Sequence, residues 1–282
     1  MPELPEVETV RCGLVSSLEG RVLRRVTVRR AGLRKPFPND FAARLTDARV
    51  IAVRRRAKYL LVDLSSDETL IWHLGMSGQV RIEGEADVKT PLGAHDHVVF
   101  ETDRGVRVVF RDPRRFGLMA LCATADVDRH PLLEKLGPEP TDRAFDGAFL
   151  AARLRGRKTS IKAALMDQSI IAGLGNIYVC ESLYRAGLSP RRSAHTVQGG
   201  RATRLADAVR AVIAEAIAAG GSSLRDHRQT NGELGYFQHR FAVYGRVGER
   251  CPDCTCTPSH TGGIRRIVQN GRSTFYCATR QR

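Results

Sequence analysis

The chain has 282 residues, with 45 Lys and Arg against 30 Asp and Glu, giving a formal net charge of +15. That length exceeds one ordinary core and predicts two domains, while the basic balance points to a polyanionic partner, most often nucleic acid. A hydrophobic fraction of 42% argues against a disordered chain; the lack of any window of 18 consecutive apolar residues and of a secretory signal predicts a soluble, cytoplasmic protein.

The first element is a helix. Val7, Val10, Leu14 and Leu18 recur at helical spacing until Gly20. It opens on MPELPEVETV, where Glu3, Glu6 and Glu8 suit the positive end of the helix dipole and proline suits a first turn. From Arg21 to about Leu121 the period changes to β-branched runs such as RVLRRVTVRR, TLIWHLGMSGQVRI and VRVVF, broken by Asp103 and Gly105. The expectation is a β-sandwich with the first helix packed against it. PLLEKLGPEP, residues 131 to 140, marks a boundary. Two short helices then flank QSIIAGLG, and a long amphipathic helix with Leu205, Val209, Val212, Ile213, Ala216 and Ile217 on one face stops at Gly220 and Gly221. Residues 222 to 239 show no period and read as a loop.

The cysteines fall into two groups. Cys12, Cys122 and Cys180 stand alone and read as buried reduced thiols. Cys251, Cys254, Cys256 and Cys277 crowd into the last 32 residues, a clustering that suggests metal.

Other residues offer chemistry. Removal of Met1 would leave Pro2 with a free secondary amine, a nucleophile whose pKa lies nearer neutrality than a lysine's, with Glu3 beside it to move a proton. GLGNIY is a glycine-rich turn opening a helix, which directs backbone N–H groups at a phosphate. Lys58, beside Arg54, Arg55 and Arg56, reads alone as one more solvated charge. Met76 and Phe116 would ordinarily be core residues, although a methionine between glycine-containing turns is poorly placed for a core.

Six motifs in order, MPELPEVE, RRAKYL, HLGMSG, DPRRFG, GLGNIY and GRSTFYC, span essentially the whole chain, which in these respects resembles the formamidopyrimidine-DNA glycosylases. The resemblance implies an α+β multidomain protein. Residues 1 to 130 would form a catalytic β-sandwich with flanking helices, 131 to 140 a linker, 141 to 240 a helix-two-turn-helix region and 241 to 282 a zinc-finger-like β-hairpin. It implies base-excision repair of duplex DNA containing oxidised bases, by a monomer that removes 8-oxoguanine and formamidopyrimidines and cuts the strand by β,δ-elimination.

In the resembling family Pro2 would be the nucleophile and Glu3 the acid/base, with Glu6 supporting them and Lys58 and Arg272 acting at the damaged nucleotide. Met76, Arg114 and Phe116 would fill the gap left by the extruded base. His95, Arg115, Lys158 and Asn176 would complete the DNA contacts. Cys251, Cys254 and Cys277 match three of the family's four zinc ligands, but Arg280 stands at the fourth position. Cys256 and His260, in an insertion between the knuckles, are candidate substitutes; otherwise the hairpin stands without metal. Two rival readings are an endonuclease VIII-like glycosylase for oxidised pyrimidines and a non-catalytic damaged-DNA-binding protein.

Overall fold

The computed structural model describes residues 2–87, 89–222, 235–255 and 257–282, so Cys256 and most of the 222–239 segment lie outside the described residues. The chain forms two compact units, Met1–Glu134 with Ala219–Gln238, and Lys135–Ala218 with His239–Arg282. Segment 219–238, which the sequence places with the helical region, therefore groups with the first unit.

The first unit begins with α1 (Leu4–Leu18), whose buried face includes Leu4, Val7, Val10, Leu14 and Leu18, the stripe expected from the spacing. Eight strands follow: β1 (Leu23–Val28), then, after the short α2 (Phe41–Leu45), β2 (Val50–Arg56), β3 (Tyr59–Leu64), β4 (Glu68–His73), β5 (Gln79–Glu83), β6 (Asp96–Thr102), β7 (Arg107–Arg111) and β8 (Leu118–Ala123). They form two four-stranded antiparallel sheets, ordered β1-β6-β7-β5 and β2-β3-β4-β8. The two sheets share a core. Trp72 of one is fully buried, its ring 5.7 Å from Phe100 and 5.2 Å from Phe110 of the other. Valines and leucines of α1 belong to the same cluster.

Chain order makes two neighbouring crossovers between the sheets. The chain passes from β4 to β5 through residues 74–78 and returns from β7 to β8 through 112–117; because β4 pairs with β8 and β5 with β7, the crossings emerge side by side. The glycine-containing motifs HLGMSG and DPRRFG are these two crossings.

The second unit contains α3 (Gly147–Leu154), α4 (Ile161–Met166), α5 (Asn176–Arg185), α6 (Gly200–Ala218) and the single turn α7 (Pro258–Thr261). Asp146 caps α3 by accepting from Phe149 N–H at 2.7 Å, and Ser160 caps α4 by accepting from Ala163 N–H at 3.2 Å. β9 (Ile264–Gln269) and β10 (Arg272–Cys277) close a hairpin over Asn270 and Gly271, both at positive φ, 50° and 71°, as a two-residue primed turn requires.

One cysteine expectation needs correction. Cys180 is buried, but Cys12 is exposed and Cys122 partly so. Cys12 falls off the Val7, Val10 and Leu14 stripe, so helical geometry turns it to solvent. Among the described residues no helix is long and apolar enough to cross a membrane.

Candidate functional site

Pro2 is buried just before α1, and Glu3 and Glu6, which follow it in sequence, are 3% and 2% exposed. The acids have separate tasks. Glu3 is the N-cap, and its N–H donates to Glu6 Oε2 at 2.8 Å within a reciprocal capping box. The other oxygen of Glu6 accepts from Ser222 N–H at 2.8 Å and Ser222 Oγ at 3.0 Å, tying the segment after α6 to the N-terminus within the first unit. Gly221, at φ +77°, makes this approach feasible, since a Cβ there would lie 3.0 Å from the Glu6 carboxyl. Glu8 instead pairs with Arg11 and Arg55 at 2.7 Å each. Burial alone would raise its pKa, but these two guanidinium groups outweigh that effect and lower it.

Arg55 continues this chain of contacts by donating to the carbonyl of Ala57 at 3.1 Å. Ala57, at φ +52°, and Lys58 form the turn between β2 and β3, and Lys58 is only 6% exposed. The solvated-charge reading of Lys58 therefore does not hold. Lys58 also acts on His73 at the end of β4. Desolvation, then the charges of Lys58 and Arg34, pushes the His73 pKa down to about 4, and its Nδ1 accepts from Gly75 N–H at 2.9 Å.

The two crossings present the expected gap-filling residues. Met76 and Phe116 are 39% and 42% exposed, outside the core, and the Arg114 guanidinium stacks 4.9 Å from the Phe116 ring. Arg115 is exposed at φ +58°. His95 is exposed just before β6, and its carbonyl accepts from Asp112 N–H at 3.0 Å.

In the second unit Lys158 is exposed between α3 and α4, and Arg272 is exposed at the hairpin tip. Asn176 opens α5 as expected, but its Nδ2 donates to Ser273 O at 2.8 Å and to the Tyr244 hydroxyl at 3.3 Å. Sequence reasoning missed Lys162. It is 2% exposed, and its Nζ donates to Thr274 Oγ1 at 2.6 Å and Ser273 O at 3.3 Å. No local signal marked it, since its partners Ser273 and Thr274 lie 111 and 112 residues away in sequence.

Cys251, Cys254 and Cys277 converge, with all three Sγ atoms within 4.8 Å of one another. His260 is exposed on α7 and is not among the gathered side chains, while Cys256 lies outside the described residues. The Arg280 guanidinium lies 5.0 Å over the Tyr184 ring, donates to Tyr184 O at 3.3 Å and reaches Asp253 Oδ2 at 3.8 Å. Three gathered thiols could hold a metal ion such as zinc.

The model of the formamidopyrimidine-DNA glycosylase N-terminal domain matches residues 1–119, and that of the H2TH domain of the same enzyme matches residues 136–228. The formamidopyrimidine-DNA glycosylases of Rhodospirillum rubrum and Rhodospirillum centenum are each 59% identical to this chain, with 100% of both chains covered. The crystal structure of MutM (Fpg) from Thermus thermophilus superposes with a TM-score of 0.87 at 40% identity, covering 99% of this chain and 98% of that one. Lactococcus lactis Fpg in complex with DNA containing an abasic site superposes with a TM-score of 0.88 at 32% identity, over 99% of each chain.

Proposed function

The chain belongs to the formamidopyrimidine-DNA glycosylase family, and on that premise we propose that this DNA glycosylase removes oxidised purines such as 8-oxoguanine and formamidopyrimidines from duplex DNA, as a monomer, and then cleaves the abasic strand. The observation that supports this chemistry best is the buried chain start, where Pro2 directly precedes Glu3 and the carboxyls of Glu3 and Glu6 are buried and joined through a reciprocal capping box.

With Met1 removed, the Pro2 nitrogen attacks C1′ of the damaged nucleotide, the bond from C1′ to the base breaks, and the base leaves with a proton. Glu3 protonates the sugar ring oxygen as it opens, giving an iminium linkage, and later moves the protons released at C2′ and C4′. Elimination expels the 3′ phosphate and then the 5′ phosphate, and water returns the free amine. Glu6 holds Glu3 by its backbone, Lys58 supplies positive charge at the lesion, and Arg272 grips phosphate. Lys158 and Arg115 are exposed for further phosphate contacts.

Cys251, Cys254 and Cys277 would hold a zinc ion, which supplies a structural tie between the first knuckle and β10. Arg280, drawn onto Tyr184 and Asp253, is not a ligand. Metal analysis of protein purified without added zinc should give one equivalent, lost in Cys277→Ser.

Borohydride trapping tests the catalytic reading. Wild type should become covalently linked to duplexes carrying 8-oxoguanine or an abasic site, whereas a chain extended at its N-terminus should not, because its proline nitrogen is an amide. Absence of a trapped species on both duplexes would overturn the proposal.

A further inference from the structure

The crossings at 74–78 and 112–117 leave their sheets together, so they lack the ladder hydrogen bonds that organise strands. One buried side chain joins them. Asp112 is completely buried. Its Oδ1 accepts from Ser77 Oγ on the other crossing at 2.6 Å, and its Oδ2 accepts from Gly117 N–H at 2.7 Å. Ser77 Oγ in turn accepts from Arg114 N–H at 3.1 Å. The Asp112 backbone is fixed as well. Its carbonyl accepts from Arg115 N–H at 3.1 Å and lies 2.9 Å from His97 Nε2.

The two crossings are also in backbone contact. A Cβ on Gly75 would fall 2.3 Å from Gly117 N and from the Phe116 carbonyl carbon, so only glycine permits this approach. Met76 on one crossing and Arg114 and Phe116 on the other are therefore mounted on one rigid base, although the two crossings are remote in sequence.

We propose that Asp112, with Ser77 as its partner, is the positioning residue of a preformed wedge. It holds Met76, Arg114 and Phe116 in the arrangement that enters the stack when the lesion is extruded. This rests on the proposed glycosylase activity. Insertion of three separately mobile side chains would lose rotamer and loop freedom at each binding event, and preorganisation removes that cost. The wedge acts on the base to be extruded. At a site whose base is already gone, less extrusion is needed, so the chemistry there depends on the wedge far less.

The test compares wild type, Asp112→Asn and the milder Ser77→Ala in single-turnover reactions on two duplexes, one with 8-oxoguanine opposite cytosine and one with a preformed abasic site. Asp112→Asn should slow the first reaction about tenfold more than the second, with Ser77→Ala in between. A parallel measurement follows 2-aminopurine fluorescence beside an uncleavable abasic analogue, where wedge insertion unstacks the probe. Both variants should show a smaller rise at saturating protein. Equal slowing on both duplexes with an unchanged fluorescence rise would overturn the proposal, as would wild-type behaviour of both variants. The fluorescence arm needs no turnover, so a wild type inactive on every lesion would refute the activity while this readout still decides the wedge.

Discussion

Each unit presents an arginine at an exposed tip, Arg114 on the paired crossings of the first and Arg272 on the hairpin of the second, and the two tips are held from behind by opposite chemistry. At the crossings the anchors are acceptors, the Asp112 carboxyl and the His73 imidazole, because irregular backbone there directs N–H groups inward. At the hairpin the anchors are donors, Lys162 Nζ and Asn176 Nδ2, which converge on the carbonyl of Ser273. The reason lies in strand geometry. Gln269 and Arg272 close the two-residue turn, so the next pair, Val268 and Ser273, falls at the position where antiparallel backbone groups point away from the partner strand. A sheet edge needs a donor at that carbonyl, and a crossing needs an acceptor.

The largest effect should follow from removing a donor anchor. Lys162→Met keeps the length and apolar stem but leaves Thr274 Oγ1, which is fully buried, without its 2.6 Å donor. Loss of a charged hydrogen bond to a buried group costs about 1.5 to 3 kcal/mol, and the hairpin tip loses its register against α4. Urea unfolding should show that loss in the second unit, and DNA affinity should fall about tenfold, which corresponds to about 1.4 kcal/mol. If stability and affinity both stay at wild-type values, the donor half of the comparison is wrong.

A smaller and purely electrostatic effect should follow at the tips themselves. Arg272 is exposed, and its side chain supports no hydrogen bond of the fold among the described residues. Arg272→Ala should therefore leave stability intact while binding weakens alike on damaged and undamaged DNA, with the salt slope reduced by about one counterion. Arg114→Ala should behave differently, changing discrimination of the base opposite the lesion more than the salt slope. Identical salt slopes for both variants would erase the distinction between the two tips.

Much of this was legible before any coordinates. The α1 stripe, the β-branched runs and the glycine ending α6 are local patterns, and local sequence decides them. The crowding of Cys251, Cys254, Cys256 and Cys277 likewise suggested metal, and the family resemblance singled out Cys251, Cys254 and Cys277. The anchors Asp112 and Lys162 were not legible, because each depends on a partner remote in sequence. Ser77 meets Asp112 across 35 residues and Lys162 meets Thr274 across 112. A lysine beside Ile161 in a short helix reads as solvent-facing until the hairpin is folded over it. The α3 helix was missed for a different reason, since GAFLAARL is only about two turns long and follows an irregular polar stretch. Glu181 is a similar case. Its carboxyl accepts from the N–H groups of Ala242, Val243 and Tyr244 at 2.8 to 3.0 Å, and nothing in NIYVCESLYR announces that.

The smallest effect at neutral pH, and the sharpest test of the acceptor half, concerns His73. Desolvation, reinforced by the charges of Lys58 and Arg34, moves its pKa from 6.5 to about 4. The folded chain thus resists a proton that the unfolded chain accepts near 6.5. The contribution of His73 to stability is present above pH 6.5 and is lost as the pH falls through about 4. Protonation also converts Nδ1 from an acceptor into a donor facing Gly75 N–H, so the 74–78 crossing loses an anchor in the same pH interval. His73→Asn should cost about 1 kcal/mol at neutral pH, one hydrogen bond's worth, and should flatten the fall in stability between pH 6.5 and 4. Urea denaturation of both proteins at a series of pH values measures the difference. Parallel curves would show that His73 titrates no differently in the folded and unfolded chains, and would leave Asp112 as the acceptor on which the crossings depend.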